Sequence, residues 1–317
     1  MYYLGIDGGG TKTKYTIVDN KLKKALEVEG GTIHIHQVGI EGIKKEITEN
    51  INRIFSSLNI EEKDIAFTFI GLAGYGESLE DINKIDKVMK EIFNMPYKVE
   101  NDAVNGWAAG TGCKPGINIV AGTGSIAFGI DSEGKMARCG GFGPGIGDDG
   151  SAYWIALRTI NEYTKQRDGR AERTILSDIL EEKWKISYQY EIVDIVFNRL
   201  KFNRTELAKF SRICAEAANK GCPASIKIFK DAAKEIFNHI RALSNKLNFK
   251  DEFIVSYTGG VFKAGDIILD PLLELIKEAG LNCKLQEPEL NPWEGSVLLA
   301  YNLAGNKVPD NVRDILK

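Results

Sequence analysis

The chain contains one pattern of secondary structure twice, and this internal repeat constrains the fold more than any single motif. The first copy has a short apolar strand at residues 3–6, a glycine-rich loop at 7–11 and a second strand at 15–18. The second copy begins at residue 117, where an apolar strand runs into Gly122-Thr123-Gly124-Ser125. Because a repeat of this length is a whole structural unit written twice, the 317 residues are expected to form two related domains.

After its glycine loop, each copy continues with the same order of elements. A third strand is followed by helix, strand, helix, strand and helix, so each half is predicted to be β-β-β-α-β-α-β-α. An antiparallel meander followed by parallel crossovers is typical of a mixed sheet covered by helices, which places the chain in the α/β class. The Gly/Pro-containing stretch 110–116 predicts a boundary, giving domains 1–115 and 116–317, with a helical insertion at about 165–250 in the second.

Composition restricts the partners and the compartment. The net charge of −3 comes without a basic cluster, which argues against nucleic-acid binding. The longest apolar stretch, residues 65–74, suits a buried strand and is too short to span a membrane. The first residues lack a basic segment, so no secretory signal is predicted. Five cysteines without a CxxC pair are typical of the reduced thiols of a cytoplasmic protein.

The two glycine loops are candidate phosphate-binding sites. Successive glycines allow several backbone N–H groups to converge on an anion, and neighbouring hydroxyl and ammonium groups can add donors. A β-hairpin turn alone would also favour glycine. Two such loops at equivalent places in a repeat favour the phosphate role, and two phosphate-binding loops are expected to face each other. The candidate ATP-binding residues of these loops are Gly9, Gly10, Thr11, Lys12, Thr13, Gly122, Thr123 and Gly124.

Two aspartates follow strands and are candidates for chemistry. Asp7 ends the first strand beside the first glycine loop, where Mg²⁺, bound through water, would relieve its repulsion from a polyphosphate. The alternative is a turn residue that caps its own loop. Asp102 follows the strand at 97–100, where it could accept a proton from an attacking hydroxyl during phosphoryl transfer. Position alone equally favours an N-cap of the next helix.

The combined motifs identify a family resemblance. DGGGTKT, NDAVNG, GTGS, CGGFGPGIGDDGSAYW and TGGV together resemble the N-acetylglucosamine kinases of the BadF/BadG/BcrA/BcrD group, within the actin, sugar kinase and Hsp70 superfamily. The match runs almost end to end, and residues 139–156 are its most specific part. It implies two RNase H-like (actin-like ATPase) domains, each a mixed sheet with flanking helices, and an ATP- and Mg²⁺-dependent kinase.

The resemblance also implies roles for individual residues. Thr11 and Thr123 would contact the ATP phosphates, and Gly259 and Gly260 would lie near the adenosine. Asp102 would be the catalytic base and contact the sugar. The other sugar-binding residues would be Gly141, Phe142, Gly143 and Asp148. Asp148 has the alternative role of a cap for the helix that begins near residue 151.

The departures from the family pattern all lie on the sugar side. His34 occupies the place where the family usually has a sugar-contacting Asn, Phe142 replaces a Trp, and GDEG has become GDDG at 147–150. His34 is therefore expected to influence sugar choice, whereas His36 is expected to be an ordinary half-exposed histidine. The implied substrate is N-acetylglucosamine and/or N-acetylmuramic acid, phosphorylated at O6 in peptidoglycan recycling.

Two other functions compete with the kinase. The wider group includes ATPases that activate CoA-ester dehydratases or reductases through an Fe–S cluster shared by a dimer, which requires paired cysteines that the sequence does not evidently provide. A sugar-sensing repressor would need a DNA-binding module, and none precedes the first strand. We expect a homodimer, an oligomeric state that no residue pattern here specifies.

Overall fold

The computed structural model describes residues 1–316, which contain ten β-strands in two five-stranded sheets. The first sheet consists of β1 Tyr2–Gly8, β2 Lys12–Asp19, β3 Lys24–Gly31, β4 Ile65–Leu72 and β5 Tyr97–Asn101. The second consists of β6 Gly116–Ala121, β7 Ser125–Ile130, β8 Met136–Gly140, β9 Phe253–Thr258 and β10 Cys283–Gln286.

The two sheets have the same strand order, which confirms the predicted fold class. The first has the order β3-β2-β1-β4-β5, and the second, taken from its other edge, has the equivalent order β8-β7-β6-β9-β10. In the first sheet Ile6 pairs antiparallel with Tyr15 of β2 and parallel with Ile70 of β4. A hairpin next to parallel crossovers therefore places each glycine loop at one end of its sheet's first strand.

The helices follow the apolar periodicity of the sequence. In α1 the buried residues Ile43, Ile47, Ile51 and Ile54 recur at three- and four-residue intervals. This helix starts earlier than its isoleucine pattern indicates and has a non-helical residue at Gly39. The α-helices of the described chain are α1 Ile35–Leu58, α2 Leu79–Ile92, α3 Ala103–Thr111, α4 Ala152–Arg167, α5 Ile175–Trp184, α6 Glu191–Val193, α7 Arg204–Ala208, α8 Phe210–Asn219, α9 Pro223–Lys246, α10 Asp266–Glu278, α11 Pro292–Leu303 and α12 Val312–Leu316. A π-helix at Asp194–Arg199 and 3₁₀ turns at Glu62–Asp64 and Gly260–Ala264 complete the set.

The first compact unit combines residues 1–118 with the C-terminal residues 286–317. Its core contains buried side chains of β1, β2, β4 and α1. The C-terminal segment joins this unit because α11 packs against β1 and α3. A Cβ at Gly5 would lie 2.3 Å from the backbone nitrogen of Val297, so glycine at this position allows β1 and α11 to approach so closely. This unit therefore includes the last 32 residues, which the predicted division of 1–115 and 116–317 assigns to the second domain.

The second unit spans residues 119–285 and contains the helices α4 to α10. The helices α4 to α9 lie between β8 and β9, and α5 to α9 fall within the stretch of about 165–250 where the sequence predicts an insertion. They have a core of their own, in which Tyr163, Leu180 and Phe210 are fully buried. None of the helices in residues 1–316 has both the length and the apolarity needed to cross a membrane.

Candidate active site

In the first unit, the first glycine loop is a tight connection between β1 and β2. The backbone N–H of Gly9 donates to the carbonyl of Lys12 over 3.0 Å. Thr11 and Lys12 are exposed, and the ammonium of Lys12 pairs with Glu29 over 2.8 Å. Thr13, in contrast, is fully buried inside β2 and its hydroxyl has no hydrogen-bond partner. Of the two predicted threonine donors, only Thr11 is accessible to a ligand in this conformation.

Asp7 is the penultimate residue of β1, and an amide from another element binds its carboxylate. Asn105 in α3 donates from Nδ2 to Oδ1 of Asp7 over 2.6 Å, and its own Oδ1 is buried without a partner. Burial raises the pKa of Asp7, although the bond from Asn105 opposes this change. The oxygen atoms that lie together here belong to a carboxylate and an amide, and these are the ligand types that Mg²⁺ takes. The residues present therefore fit the predicted magnesium role of Asp7.

Asp102 lies between β5 and α3, and its side chain does not cap the helix. The side chain makes no cap hydrogen bond, and the N–H of Ala103 is bound instead by Oδ1 of Asn101 at 3.1 Å. Burial, together with the negative charge of Asp7, raises the pKa of Asp102 to about 6. A carboxylate with a pKa close to the working pH suits a general base better than one with an ordinary pKa. This geometry favours the base over the N-cap for Asp102.

The segment that carries His34 is hydrogen-bonded to the first glycine loop. The hydroxyl of Thr32 donates to the carbonyl of Gly9 over 3.0 Å and accepts the N–H of His34 over 3.1 Å. Nδ1 of His34 is buried without a hydrogen-bond partner. His36 behaves differently, because its side chain is exposed and its Nε2 lies 3.1 Å from Oδ2 of Asp81. The two imidazole rings are 5.7 Å apart although the segment enters a helix rather than staying extended.

In the second unit, the second glycine loop lines a pocket of about 750 Å³. Gly122, Thr123 and Gly260, all predicted ATP-binding residues, contribute to its wall. Gly259 lies directly against the end of β6, because a Cβ there would be 2.3 Å from the carbonyl oxygen of Ala121. The helices α7 and α8 and the residue between them also contribute to the lining, which includes Thr205, Lys209, Ser211, Arg212 and Glu216. The pocket is large enough for a small-molecule ligand such as a nucleoside.

The predicted sugar loop, residues 139–150, is hydrogen-bonded to the second glycine loop. Gly141 donates its N–H to the carbonyl of Ser125 over 2.9 Å, and the hydroxyl of Ser125 donates to the carbonyl of Asp149 over 2.7 Å. Phe142 is 71% exposed, whereas Asp148 is only 3% exposed. The helix cap of α4 is Ser151, which accepts the N–H of Trp154, so the cap role considered for Asp148 is filled by another residue.

The carboxylate of Asp148 is engaged on both oxygens. Oδ1 accepts the N–H of Ser125 over 3.2 Å, and Oδ2 accepts Nη2 of Arg204 over 2.7 Å. Nearby, Nδ1 of His239 in α9 donates to the carbonyl of Glu235 over 2.9 Å, and burial lowers the pKa of the imidazole. His239 and Phe142 line a smaller pocket of about 250 Å³ beside Asp148.

A family model for the BadF/BadG/BcrA/BcrD ATPase family matches residues 4–300. The chain belongs to this family. The resemblance noted in its motifs is thereby confirmed. Among curated members, it is 33% identical over 301 residues to the N-acetylmuramic acid/N-acetylglucosamine kinase of Clostridium acetobutylicum, covering 94% of this chain and 98% of the relative. It is 29% identical over 312 residues to the N-acetyl-D-glucosamine kinase of Dictyostelium discoideum, covering 95% of this chain and 98% of the relative.

The fold of this family member is also present in solved structures. A candidate N-acetylglucosamine kinase from Chromobacterium violaceum superposes with a TM-score of 0.69 at 20% identity, covering 95% of this chain and 98% of that one. At this identity the comparison supports the fold and does not transfer a substrate.

Three polar residues of these sites have no role among those predicted from the sequence. Asn105 lies within the NDAVNG motif, and an amide among the apolar residues of α3 was a usable indication of a specific partner. Thr32 follows β3 in a position where a hydroxyl commonly bonds to nearby backbone. Arg204 has no sequence motif that connects it to residue 148, because 56 residues separate the two.

Proposed function

We propose that this chain is an ATP-dependent kinase that transfers the γ-phosphoryl group to O6 of an amino sugar, N-acetylglucosamine and/or N-acetylmuramic acid. The observation that carries the proposal is the 33% identity, over 94% of the chain and 98% of the relative, to an N-acetylmuramic acid/N-acetylglucosamine kinase. The sites described above supply the chemistry that such a reaction needs.

Asp102 is the proposed catalytic base. The sugar hydroxyl oxygen attacks the γ-phosphorus, the bond from phosphorus to the bridging oxygen breaks, and ADP leaves with that oxygen. The proton of the hydroxyl passes to the carboxylate of Asp102, which becomes a neutral acid. A pKa of about 6 makes this carboxylate a stronger base than a solvent-exposed aspartate while it remains mostly ionised at pH 7.

The second unit supplies the proposed nucleotide pocket. We assign the adenosine to the 750 Å³ pocket beside Gly259 and Gly260, and the phosphates to the loop Gly122–Gly124. In the first unit, the second proposed phosphate contact is Gly9 together with the exposed residues Gly10, Thr11 and Lys12. Thr13 was predicted with them, but it can take part only if β2 rearranges, because its hydroxyl is buried. Asp7 would hold Mg²⁺ through water, and the ion would neutralise charge on the phosphates.

In the second unit the proposed sugar contacts are Gly141, Phe142 and Gly143 of the sugar loop, and in the first unit they are Asp102 and His34. Asp148 belongs to the same loop, but its carboxylate is held by Ser125 and Arg204. We assign the enzyme to salvage of cell-wall amino sugars, since both proposed substrates are cell-wall sugars. The alternative, an ATPase that activates a CoA-ester dehydratase or reductase, is less favoured because the curated relatives reported above are sugar kinases.

The direct test is ADP release from ATP and Mg²⁺ with a panel of sugars. The panel contains N-acetylglucosamine, N-acetylmuramic acid, glucosamine and glucose, and NMR of the product locates the phosphate. ADP release that depends on an N-acetylated amino sugar, with phosphate on O6, is the expected result. Release that is independent of every sugar would contradict the kinase and favour the ATPase alternative.

A further inference from the structure

The sugar loop packs against α9 at both of its ends. Gly140 has a φ of 75°, and a Cβ there would lie 2.4 Å from Nε2 of His239. Gly150 has a φ of 77°, and a Cβ there would lie 3.0 Å from the carbonyl oxygen of Ala232. Both His239 and Ala232 belong to the buried residues of α9. Glycine at each end of the loop therefore allows it to approach this helix closely.

A pocket of about 250 Å³ lies between the sugar loop and α9. Phe142, a proposed sugar contact, and Asp148 line it from the loop, and Glu235 and His239 line it from the helix. Pockets for drug-sized ligands have volumes of about 300–1,000 Å³. This smaller pocket is therefore better suited to part of a monosaccharide than to a nucleotide.

His239 presents a hydrogen-bond acceptor that the protein itself does not use. The residue is 8% exposed. Its Nδ1 lies 2.9 Å from the carbonyl oxygen of Glu235, and because a carbonyl only accepts, Nδ1 carries the proton. Burial lowers the pKa of the imidazole, which favours the neutral ring. Nε2 then has a lone pair, and within residues 1–316 it has no hydrogen-bond partner. Since polar atoms of buried side chains ordinarily have partners, Nε2 is expected to accept a donor from outside the protein.

The charges around this pocket also favour a donor. Asp148, Asp149 and Glu235 line it, whereas no lysine or arginine of the described residues does. Carboxylate oxygens accept hydrogen bonds and repel other anions. The pocket is therefore suited to an O–H or N–H group, and it is not suited to the lactyl carboxylate of N-acetylmuramic acid.

We propose that His239 is a specificity residue for the sugar, and that its Nε2 accepts a hydrogen bond from one O–H or N–H group of the sugar bound at the sugar loop. This inference rests on the proposed kinase function. It adds a sugar contact from α9, a helix that contains none of the motifs on which the family resemblance depends. The donor is a ring hydroxyl or the N–H of the acetamido group, and deoxy analogues distinguish the two.

The test measures kcat/KM of the full chain with ATP, Mg²⁺ and N-acetylglucosamine. His239→Asn keeps an amide donor near the position of Nδ1 and removes the acceptor at Nε2. It is expected to lower kcat/KM by about tenfold, mainly through KM for the sugar, while KM for ATP is unchanged. His239→Gln brings an amide oxygen to the position of Nε2 and is expected to recover part of this loss. The matched control is Ser244→Ala, because Ser244 donates to the carbonyl of Arg241 in the same helix over 3.0 Å. It should leave kcat/KM unchanged.

Analogues that lack one donor separate this hydrogen bond from a structural role. They are the 1-, 3- and 4-deoxy forms of N-acetylglucosamine, together with 2-deoxyglucose, which has no N–H at C2. Where turnover is too slow, the inhibition constant replaces kcat/KM. For the analogue that lacks the donor bound by His239, the wild type and His239→Asn should be equal, and for the others the difference of about tenfold should remain.

An unchanged kcat/KM for N-acetylglucosamine in His239→Asn would overturn the proposal. An equal loss for N-acetylglucosamine and for every analogue would overturn it as well, because His239 would then only support the loop. If His239→Asn does not fold, as judged by its thermal midpoint, His239→Gln is compared across the same analogues and decides in the same way. A wild type that phosphorylates no sugar would instead contradict the kinase proposal itself.

Discussion

Asn105 donates a hydrogen bond from its side-chain amide to Asp7 across 98 residues of sequence, over 2.6 Å. Asn105 belongs to the helix that Asp102 precedes, and Asp7 is the penultimate residue of the strand that enters the first glycine loop. The bond therefore links the proposed base region to the proposed magnesium ligand within one unit. It also supplies the donor that makes the burial of the ionised Asp7 carboxylate tolerable.

Asn105→Ala is expected to weaken Mg²⁺ use and stability together. Without its donor, the buried Asp7 carboxylate costs about 1–3 kcal/mol of unfolding free energy and loses its fixed orientation. The measurements are urea unfolding and the Mg²⁺ concentration for half-maximal ADP release. The matched control is Asn101→Ala, which removes the cap of the same helix and should cost about 1 kcal/mol without changing the Mg²⁺ half-saturation. Equal Mg²⁺ half-saturation in the wild type and in Asn105→Ala would remove Asp7 from magnesium binding.

The pH profile of kcat/KM for the sugar should report the titration of Asp102. The carboxylate must be ionised to accept a proton, and its pKa is raised to about 6. Below that pH, kcat/KM should fall about tenfold per pH unit. The experiment uses N-acetylglucosamine, which has no carboxylate, at saturating ATP and Mg²⁺.

Asp102→Asn should reduce kcat by about 10² or more, retain ATP binding and lose the acidic limb of the pH profile. Near-normal turnover in Asp102→Asn would leave Asp102 without a catalytic role.

The same substitution should increase stability at neutral pH. A carboxyl group with a raised pKa in the folded state holds its proton more tightly there, so the fold incurs no cost below the unfolded value of 3.8. As the pH rises from about 3.8 to about 6, the unfolded chain ionises this carboxyl while the fold keeps it protonated, and the fold is destabilised by on the order of 3 kcal/mol once the pH is above about 6. Asp102→Asn should therefore unfold at higher urea than the wild type at pH 8 and at equal urea near pH 4.

The control for this stability effect is Asp131→Asn, which should have the opposite sign. Hydrogen bonds from backbone N–H groups, first that of Asn248, lower the pKa of Asp131. Its carboxylate stabilises the fold at neutral pH, so its removal should lower the urea midpoint at pH 8. A wild type that is more stable than Asp102→Asn at pH 8 would show that the carboxylate of Asp102 is not a buried, unfavourable charge.

The repeat and the glycine loops could be predicted because both depend on short segments of sequence. The first 30 or so residues of each copy have the same strand spacing and the same loop position. The two sheets have the corresponding strand order. Which side chains of β2 face the core also depends on a short segment of sequence. Thr13 is fully buried on the same face as Tyr15 and Ile17, and Thr16 and Val18 on the other face are fully buried as well. The apolar pattern predicts a strand only from residue 15, whereas β2 begins at Lys12, so Thr13 lies in the strand and not on the loop.

The supporting contacts could not be predicted, because they join positions that no sequence period relates. Asp148 meets Arg204 only because α7 folds back onto the second glycine loop, and α11 joins the first unit through close packing on β1. Sequence motifs therefore predict which residues contact ligands. Tertiary packing determines which of their carboxylates are already hydrogen-bonded within the protein. The side chain of Asp102 makes no cap hydrogen bond to its helix, whereas the carboxylate of Asp148 accepts a hydrogen bond from the N–H of Ser125.

His34 is expected to set the choice between the two amino sugars. Its segment is tied to the first glycine loop through Thr32, which limits the freedom of the imidazole. Nδ1 is buried without a hydrogen-bond partner, so the ring retains an unused polar atom. An imidazole can donate when neutral and carries positive charge when protonated, which an asparagine amide does not. An imidazole is therefore better suited to bind the carboxylate of the lactyl ether in N-acetylmuramic acid than to bind a neutral sugar.

His34→Asn should therefore shift kcat/KM toward N-acetylglucosamine relative to N-acetylmuramic acid by about 1–2 kcal/mol, the scale of one hydrogen bond to a charged group. The measurement is kcat/KM for both sugars in the wild type and the variant at one pH. His36→Asn is the matched control, because His36 is exposed and paired with Asp81, and it should leave the ratio unchanged. A wild type inactive on N-acetylmuramic acid would contradict the charge-reading role. An equal change for both sugars in His34→Asn would also contradict it, because the imidazole would then only position the substrate.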